Sequence, residues 1–137
     1  MSKPSTETEE IVWKFFGALG AGDFAAAREA LHPDAVWKVM VTGVPGEGVH
    51  RGPDAIFGFI GPIRALFEPG DPQMELRSTA VNGPLMVIES RGFGRFRDGR
   101  PYDNNYVMIL EVKDGKVSEL REYMNSYYVH GLGLETG

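Results

Sequence analysis

The sequence LMVIESRGFGRFRDGRPYDNNYVMILEVKDGKVSELREYMNS, residues 85–126, decides the fold. Its long apolar segments are separated by two Asp-Gly pairs, Asp98-Gly99 and Asp114-Gly115. An Asp-Gly pair between segments of this kind is a strong signal for a β-hairpin. The stretch therefore predicts antiparallel strands over residues 85–96, 102–112 and 116–126 that follow one another in a meander.

A further strand is predicted immediately upstream, over residues 73–81, because Asn82-Gly83-Pro84 forms a turn before the meander. Residues 35–41 predict one more strand in the first half of the chain. Helices followed by antiparallel strands indicate an α+β fold, with the helices packed on one face of a curved sheet.

Helical patterns fill most of the remaining first half. Apolar residues from Ile11 to Leu19 recur at helical spacing, and Asp23 can cap a second helix over residues 24–31. Pro53 suits the first turn of a third helix, which Gly61-Pro62 should kink or split because proline removes a helical donor.

Composition limits the classes of function. The 137 residues predict one domain over 1–137, with loose termini at 1–8 and 131–137. The net charge of -5 and the absence of a basic run argue against nucleic-acid binding. The chain has no cysteine, and its three histidines lack the spacing of metal ligands, so no metal and no cofactor are expected. No apolar signal or membrane-length segment is present, so we expect a cytoplasmic protein without a membrane partner.

Charged residues interrupt the apolar strands at Glu89, Arg91 and Glu122. A charge placed where a core should be costs stability unless it is paired, so these residues indicate either a buried ion network or a site. Alternate residues of a strand share a face. We expect Arg91 to lie between Glu89 and Glu122 at the floor of a pocket.

The same alternation assigns the other pocket residues and a candidate dimer interface. Large apolar groups mixed with a few polar ones are typical of a ligand pocket. The predicted ligand-binding residues are Trp37, Val39, Phe93, Asn104, Tyr106, Leu120 and Met124. The opposite face carries apolar side chains that need cover and thus predict a homodimer. These are Met86, Ile88, Val107 and Ile109.

Short segments that are weak singly and specific together occur between about residues 9 and 129. They are Phe15-Phe16-Gly17-Ala18-Leu19, Gly22-Asp23-Phe24, His32-Pro33-Asp34-Ala35-Val36-Trp37, His50-Arg51-Gly52-Pro53-Asp54-Ala55-Ile56, Gly99-Arg100-Pro101-Tyr102, Asp114-Gly115-Lys116-Val117 and Arg121-Glu122-Tyr123. With these segments the chain resembles the SnoaL-like branch of the nuclear transport factor 2-like superfamily, which includes ketosteroid isomerase, limonene-epoxide hydrolase and polyketide cyclases. The resemblance implies a conical α+β barrel with helices over the concave face of the sheet, a deep apolar pocket and usually a dimer.

The catalytic pattern of the epoxide hydrolases is altered in this chain. Their Arg-x-Asp pair corresponds to Glu89-Ser90-Arg91, with acid and base exchanged, and their last-strand aspartate corresponds to Glu122. The tyrosine and asparagine that help to hold the water correspond to Trp37 and Val39. Ordinary epoxide hydrolysis is therefore disfavoured, and so is steroid isomerisation, because Val39 lies near the position of the isomerase base.

Two interpretations follow for the function. The first is a small enzyme without a cofactor, an isomerase, cyclase or hydrolase that acts on an apolar small molecule. In it Glu122 is the base, Arg91 its electrostatic partner and Glu89 the residue that orients Arg91. The second is a non-catalytic domain of the same fold, which binds a small hydrophobic ligand or only dimerises.

Overall fold

The computed structural model describes residues 7–134 of the chain. Its helices are α1 (Glu7–Gly20), α2 (Phe24–Glu29), α3 (Gly52–Arg64) and α4 (Ser126–Gly131). Its strands are β1 (Leu31–Val39), β2 (Gly48–Arg51), β3 (Gln73–Asn82), β4 (Leu85–Arg95), β5 (Pro101–Lys113) and β6 (Lys116–Met124). The predicted α+β class is confirmed, with α1, α2 and α3 in the first half of the chain and the meander of β3 to β6 in the second.

The strands form one curved sheet in the order β2-β1-β6-β5-β4-β3. The sheet does not close, so β2 and β3 are its edges. One pair departs from the predicted antiparallel arrangement, because β1 runs parallel to β6. Parallel neighbours need a long connection between them. Here β2, α3 and the other meander strands supply it.

Helix α1 packs on the concave face, where it contacts β3, β4, β5 and β6. Its core side chains Val12 and Phe15 are fully buried. The hydroxyl of Thr8 donates to the carbonyl oxygen of Gly83 over 2.8 Å, which ties the start of α1 to the β3–β4 turn. Glu7 and Thr8 belong to α1, although the sequence predicted loose residues up to position 8. Of the other residues that were predicted to be loose, 1–6 and 135–137 lie outside the described residues. Residues 131–134 are described, and Gly131 is the last residue of α4.

One predicted helix boundary is confirmed, and other predicted elements differ from those observed. The carboxylate of Asp23 accepts from the backbone N–H of Ala26 over 3.1 Å, so the predicted cap of α2 is confirmed. Helix α3 runs through Pro62 as one helix and is not split there. Neither β2 nor α4 was predicted from the sequence. Helix α4 begins after Asn125, whose side-chain oxygen accepts from the backbone N–H of Tyr128.

The register of β4 corrects the predicted faces of that strand. Ser90 pairs with Tyr106 and Gly92 with Asn104 across the β4–β5 ladder. Since directly opposed residues share a face, Ser90 and Gly92 lie on the concave side and their neighbour Arg91 lies on the outer side.

The same correction applies to the predicted dimer face. Met86 and Ile88 are buried at 0% and 1% exposure in the core under the helices, so they cannot contribute to the outer surface. Val107 and Ile109 do lie on the outer face, because they pair with the outward residues Glu89 and Val87. None of the helices within residues 7–134 is long and apolar enough to cross a membrane.

Candidate functional site

A cavity lies between the concave face of the sheet and the segment that joins α3 to β3. It has two lobes of about 90 and 190 Å³. Both lobes are lined by Ile63, Pro72, Tyr106 and Glu122. These four residues therefore mark the place where the two lobes meet.

Among the described residues, Glu122 is the one acidic side chain that lines this cavity. It lies on the inner face of β6, where Val39 and Met108 flank it on the neighbouring strands. The indole Nε1–H of Trp37 donates to Glu122 Oε1 over 2.8 Å. The indole thus occupies one carboxylate oxygen, and Oε2 is the oxygen available to a ligand.

Burial raises the pKa of Glu122 from 4.5 to about 7, and the hydrogen bond from Trp37 opposes this rise. A carboxylate held away from water is costly unless a cation or several donors compensate it. The indole is a single neutral donor, so it compensates only in part. Near neutral pH Glu122 exists in both protonation states, which suits a group that both takes and gives a proton.

Two tyrosine hydroxyls lie beside this acid. Tyr102 and Tyr106 project from the inner face of β5, and their hydroxyl groups are hydrogen-bonded to each other. Burial raises the pKa of both phenols, that of Tyr106 well above its usual value of 10. The negative charge of Glu122 acts in the same direction on the pKa of Tyr106. Both phenols therefore stay protonated at neutral pH and can donate hydrogen bonds.

The predicted network of Glu89, Arg91 and Glu122 is not formed. The guanidinium of Arg91 pairs with Asp103, Nε to Oδ1 over 2.7 Å and Nη2 to Oδ2 over 3.0 Å, and with Glu75 over 3.4 Å. Glu89 is exposed and accepts from the hydroxyl of Ser78 over 2.8 Å. The prediction was wrong because Arg91 and Glu89 point out of the sheet whereas Glu122 points in. Neither of them can act directly on a ligand in the cavity.

The predicted ligand-binding residues divide into two groups. Those that line the cavity are Trp37, Val39, Tyr106 and Met124. Asn104 and Leu120 are buried in the core behind it. Phe93 is on the outer face, where the guanidinium carbon of Arg91 lies 4.4 Å from the centre of its ring.

Several residues of the cavity wall were not predicted from the sequence, among them Tyr102 and Ser90. A signal for Tyr102 was available, because it has the same strand parity as Asn104 and Tyr106. Gly92 has no side chain that could signal a role in the sequence. In the structure a Cβ at this position would lie 2.8 Å from the ring of Tyr106, so this glycine makes room for that ring.

Within residues 7–134 no group of histidine, aspartate or glutamate side chains is arranged to hold a metal ion. The cavity instead combines apolar walls with one acid, two phenols and Arg64, which lines the larger lobe. This arrangement can move a proton and can donate hydrogen bonds to an oxygen atom.

The model of the SnoaL-like domain family matches residues 12–120 of the sequence. The chain therefore belongs to the SnoaL-like domain family, as the sequence resemblance indicated. No curated protein matches the sequence.

Solved structures of similar fold cover nearly the whole chain. TerC, crystallised with polyporic acid, shares 16% identity at a TM-score of 0.81, over 93% of this chain and 98% of its own. A SnoaL-like polyketide cyclase assigned in Jannaschia sp. CCS1 shares 21% identity at a TM-score of 0.76, over 94% of this chain and 92% of its own. An NTF2-like protein from Burkholderia thailandensis shares 20% identity at a TM-score of 0.80, over 95% and 98% of the two chains. At these identities the likeness establishes the fold alone, since one fold supports many chemistries.

Proposed function

We propose that this protein is a small enzyme that needs no cofactor and moves a proton on an apolar small molecule with a carbonyl group. Isomerisation, cyclisation and water addition all belong to this class of reaction. The observation that carries the proposal is Glu122, a half-buried acid that lines both lobes of the cavity and whose pKa is about 7. A base with a pKa near the working pH transfers protons most effectively.

In the proposed reaction Glu122 acts through Oε2, because the indole of Trp37 occupies Oε1. The ionised carboxylate takes a proton from a carbon atom next to the carbonyl group of the ligand. The electron pair of the broken C–H bond moves onto the carbonyl oxygen and leaves an enolate. Glu122 then returns the proton to the same or to another atom, and the enzyme regains its starting state.

The relatives support a reaction of this class. TerC was crystallised with polyporic acid, and the Jannaschia protein is assigned as a polyketide cyclase. A cavity with apolar walls and few polar groups suits ligands of a similar kind. We therefore propose aromatic or polyketide-like carbonyl compounds as the substrate class.

Proton exchange in D₂O tests this proposal on a whole class of compounds at once. A panel of 1,3-dicarbonyl and aryl ketone compounds is incubated with the protein, and proton NMR follows the loss of the hydrogens next to the carbonyl group. We expect the native protein to accelerate exchange for some members, with a rate that rises with pH up to about 7 as Glu122 ionises. Glu122→Gln should lower the rate by about 10²- to 10⁴-fold, the usual contribution of a general base.

Glu89→Gln is the matched control, because Glu89 lies on the other face of the same sheet. Its exchange rate should equal that of the native protein. Exchange that survives in Glu122→Gln would refute the proposal. If compounds bind in the cavity but none of their hydrogens is ever exchanged, the result would instead support the interpretation as a non-catalytic binding domain.

We also propose that the protein is a homodimer through the outer face of the sheet. Val87, Val107 and Tyr123 are each 37% exposed there, and cross-strand pairing brings Val107 beside Tyr123 and Val87 beside Ile109. Such a cluster at the centre of a sheet is better covered than solvated. Light scattering at micromolar concentration should give twice the 15.1 kDa of the chain, and a mass of one chain would remove this proposal.

The cytoplasmic location stays a prediction.

A further inference from the structure

Three polar side chains follow one another along the inner face of β5, at Tyr102, Asn104 and Tyr106. Asn104 is 3% exposed, and its Nδ2 lies 3.1 Å from the hydroxyl oxygen of Tyr102. That hydroxyl is in turn bonded to the hydroxyl of Tyr106. The three groups therefore form a continuous chain of hydrogen bonds that ends at the cavity.

The orientation of the Asn104 amide is fixed by two backbone groups. Its Oδ1 accepts from the N–H of Asn105 over 2.8 Å, and its Nδ2 donates to the carbonyl oxygen of Asn125 over 3.4 Å. A backbone N–H can only donate and a backbone carbonyl can only accept. Exchanging the oxygen and nitrogen of the amide would make both contacts repulsive, so Nδ2 must be the atom that faces Tyr102.

This orientation fixes the first link of the chain and makes Tyr102 the better donor of the two hydroxyl groups, because a hydroxyl that accepts a hydrogen bond is polarised and donates more strongly. Because Nδ2 can only donate, the oxygen of Tyr102 accepts from Asn104. Either hydroxyl could donate in the bond between Tyr102 and Tyr106, and the better donor is Tyr102, so its proton is assigned to the oxygen of Tyr106. The proton of Tyr106 is then left to point elsewhere, and Tyr106 lines both lobes of the cavity beside Glu122.

We infer that Tyr106 donates a hydrogen bond to an oxygen of the ligand, and that Asn104 and Tyr102 are positioning residues that direct its proton there. The ligand group is a carbonyl, enolate or phenolate oxygen. Successive hydrogen bonds in a chain polarise one another, so Asn104 and Tyr102 also make Tyr106 a stronger donor. The inference deepens the proposed function, since it names the group of the substrate that would lie at Tyr106 while Glu122 moves the proton.

The test measures ligand binding in Glu122→Gln protein, which lacks the proposed base and cannot repel an anion. The probes are 4-nitrophenol, whose absorbance reports its ionisation, and 4-nitrotoluene, which replaces the hydroxyl by a methyl group. We expect 4-nitrophenol to bind in its ionised form at a lower pH than it ionises in water. Tyr106→Phe, added to Glu122→Gln, should weaken its binding by about tenfold to a hundredfold, as expected when a hydrogen bond to a charged group is lost.

Tyr102→Phe and Asn104→Leu separate a directing role from a merely structural one. If they act through Tyr106, each should lower the ionised fraction of bound 4-nitrophenol at fixed pH and leave the affinity for 4-nitrotoluene within about twofold, since no charged group is involved there. Equal losses for both probes, or an unchanged ionised fraction, would overturn the inference. No detectable binding of 4-nitrophenol to folded Glu122→Gln protein would overturn it as well.

A substitution with little change in shape covers the case in which these variants fail to fold. Tyr102 is replaced by 3-fluorotyrosine, whose hydroxyl is a stronger donor and nearly the same size. If Tyr102 donates to Tyr106, the ionised fraction of bound 4-nitrophenol should rise; a fall or no change would contradict the assigned direction. All these measurements use protein without the base, so they can succeed or fail independently of the proton-exchange experiment.

Discussion

The two faces of the sheet surround their charged residues with different environments. On the outer face Arg91 lies between Asp103 and Glu75, and its hydrogen bonds to Asp103 hold the pKa of that carboxyl below its ordinary value. On the inner face Glu122 has a neutral indole as its donor, and burial holds its pKa at about 7. A charged residue in the middle of a strand therefore indicates a site only when it lacks both a counter-charge and water.

The largest effect that we predict is the dependence of stability on the charge of Glu122. Its pKa is about 7 in the folded protein and 4.5 as its ordinary value. From pH 4.5 to pH 7 the unfolded chain has already released this proton while the folded protein still keeps it, so stability falls as the pH rises. Glu122→Gln removes this loss. We expect the variant to gain about 3 kcal/mol over the native protein at pH 8, and close to nothing from this source at pH 4.

Urea unfolding at several pH values measures this difference. Glu89→Gln is again the control, because its side chain is solvated in the folded protein, and its difference from the native protein should not change in the same way. A difference between Glu122→Gln and the native protein that is the same at pH 4 and pH 8 would show that Glu122 is not held in a low-dielectric site.

The two hairpins of the meander explain which part of the site the sequence could predict. The β5–β6 hairpin has Asp114-Gly115 as a two-residue turn between Lys113 and Lys116, with positive φ at both central residues. This is the arrangement that an Asp-Gly pair favours. The predicted inward faces of both strands, which carry Tyr106 and Glu122, agree with the structure.

The β4–β5 hairpin also contains an Asp-Gly pair, but its loop is one residue longer. A two-residue turn at Asp98-Gly99 would place Arg91 opposite Tyr106. Instead the backbone N–H of Phe96 donates to the carbonyl oxygen of Arg100 over 2.9 Å, which leaves three residues in the loop. One additional residue turns every side chain of β4 to the other face, so Ser90 lies opposite Tyr106.

The fold was more predictable than the site for the same physical reason. Element type depends on apolar periodicity, which survives an error of one residue, whereas a site depends on which face each side chain takes. Trp37 shows a second limit. Its place in the cavity wall was predicted, but its hydrogen bond to Glu122 depends on the parallel pairing of β1 with β6, and no local signal predicts that pairing.

A smaller effect is expected from Gly92→Ala, which brings a methyl group against the ring of Tyr106. The new Cβ would lie 2.8 Å from a ring carbon, so the ring must move. We expect a loss of about 1–3 kcal/mol in the free energy of unfolding, as for other overpacked sites. Because the ring carries the hydroxyl at the junction of the lobes, binding of 4-nitrophenol should weaken in the Glu122→Gln background.

Gly94→Ala is the matched control for crowding on the same strand. Its Cβ would lie 2.6 Å from the carboxyl carbon of Asp71, away from Tyr106. It should lower stability without changing the affinity for 4-nitrophenol. If Gly92→Ala and Gly94→Ala affect that affinity equally, the position of the Tyr106 ring does not control binding.

The smallest effect belongs to Arg91→Met, on the outer face. The Arg91 side chain is 30% exposed and its partners Asp103 and Glu75 are more exposed still, so water compensates each carboxylate when the guanidinium is removed. Exposed ion pairs contribute little to stability, and methionine can still pack on Phe93. We therefore expect a slight loss of stability from pH 6 to pH 8, smaller than that of Gly92→Ala in the same urea titration.

The dependence of stability on salt concentration distinguishes the charged residues of the two faces most directly. In 1 M NaCl the screening length falls to about 3 Å, so the difference in stability between Arg91→Met and the native protein should shrink. The difference between Glu122→Gln and the native protein at pH 8 should persist, because it arises from burial and not from an exposed ion pair. A large loss in Arg91→Met that is insensitive to salt would mean that Arg91 is buried after all, and the contrast between the two faces would fail. If the stability differences of the two variants depended equally on salt, the contrast between the faces would also fail. Glu122 would then be a solvated charge and a poor candidate for the base.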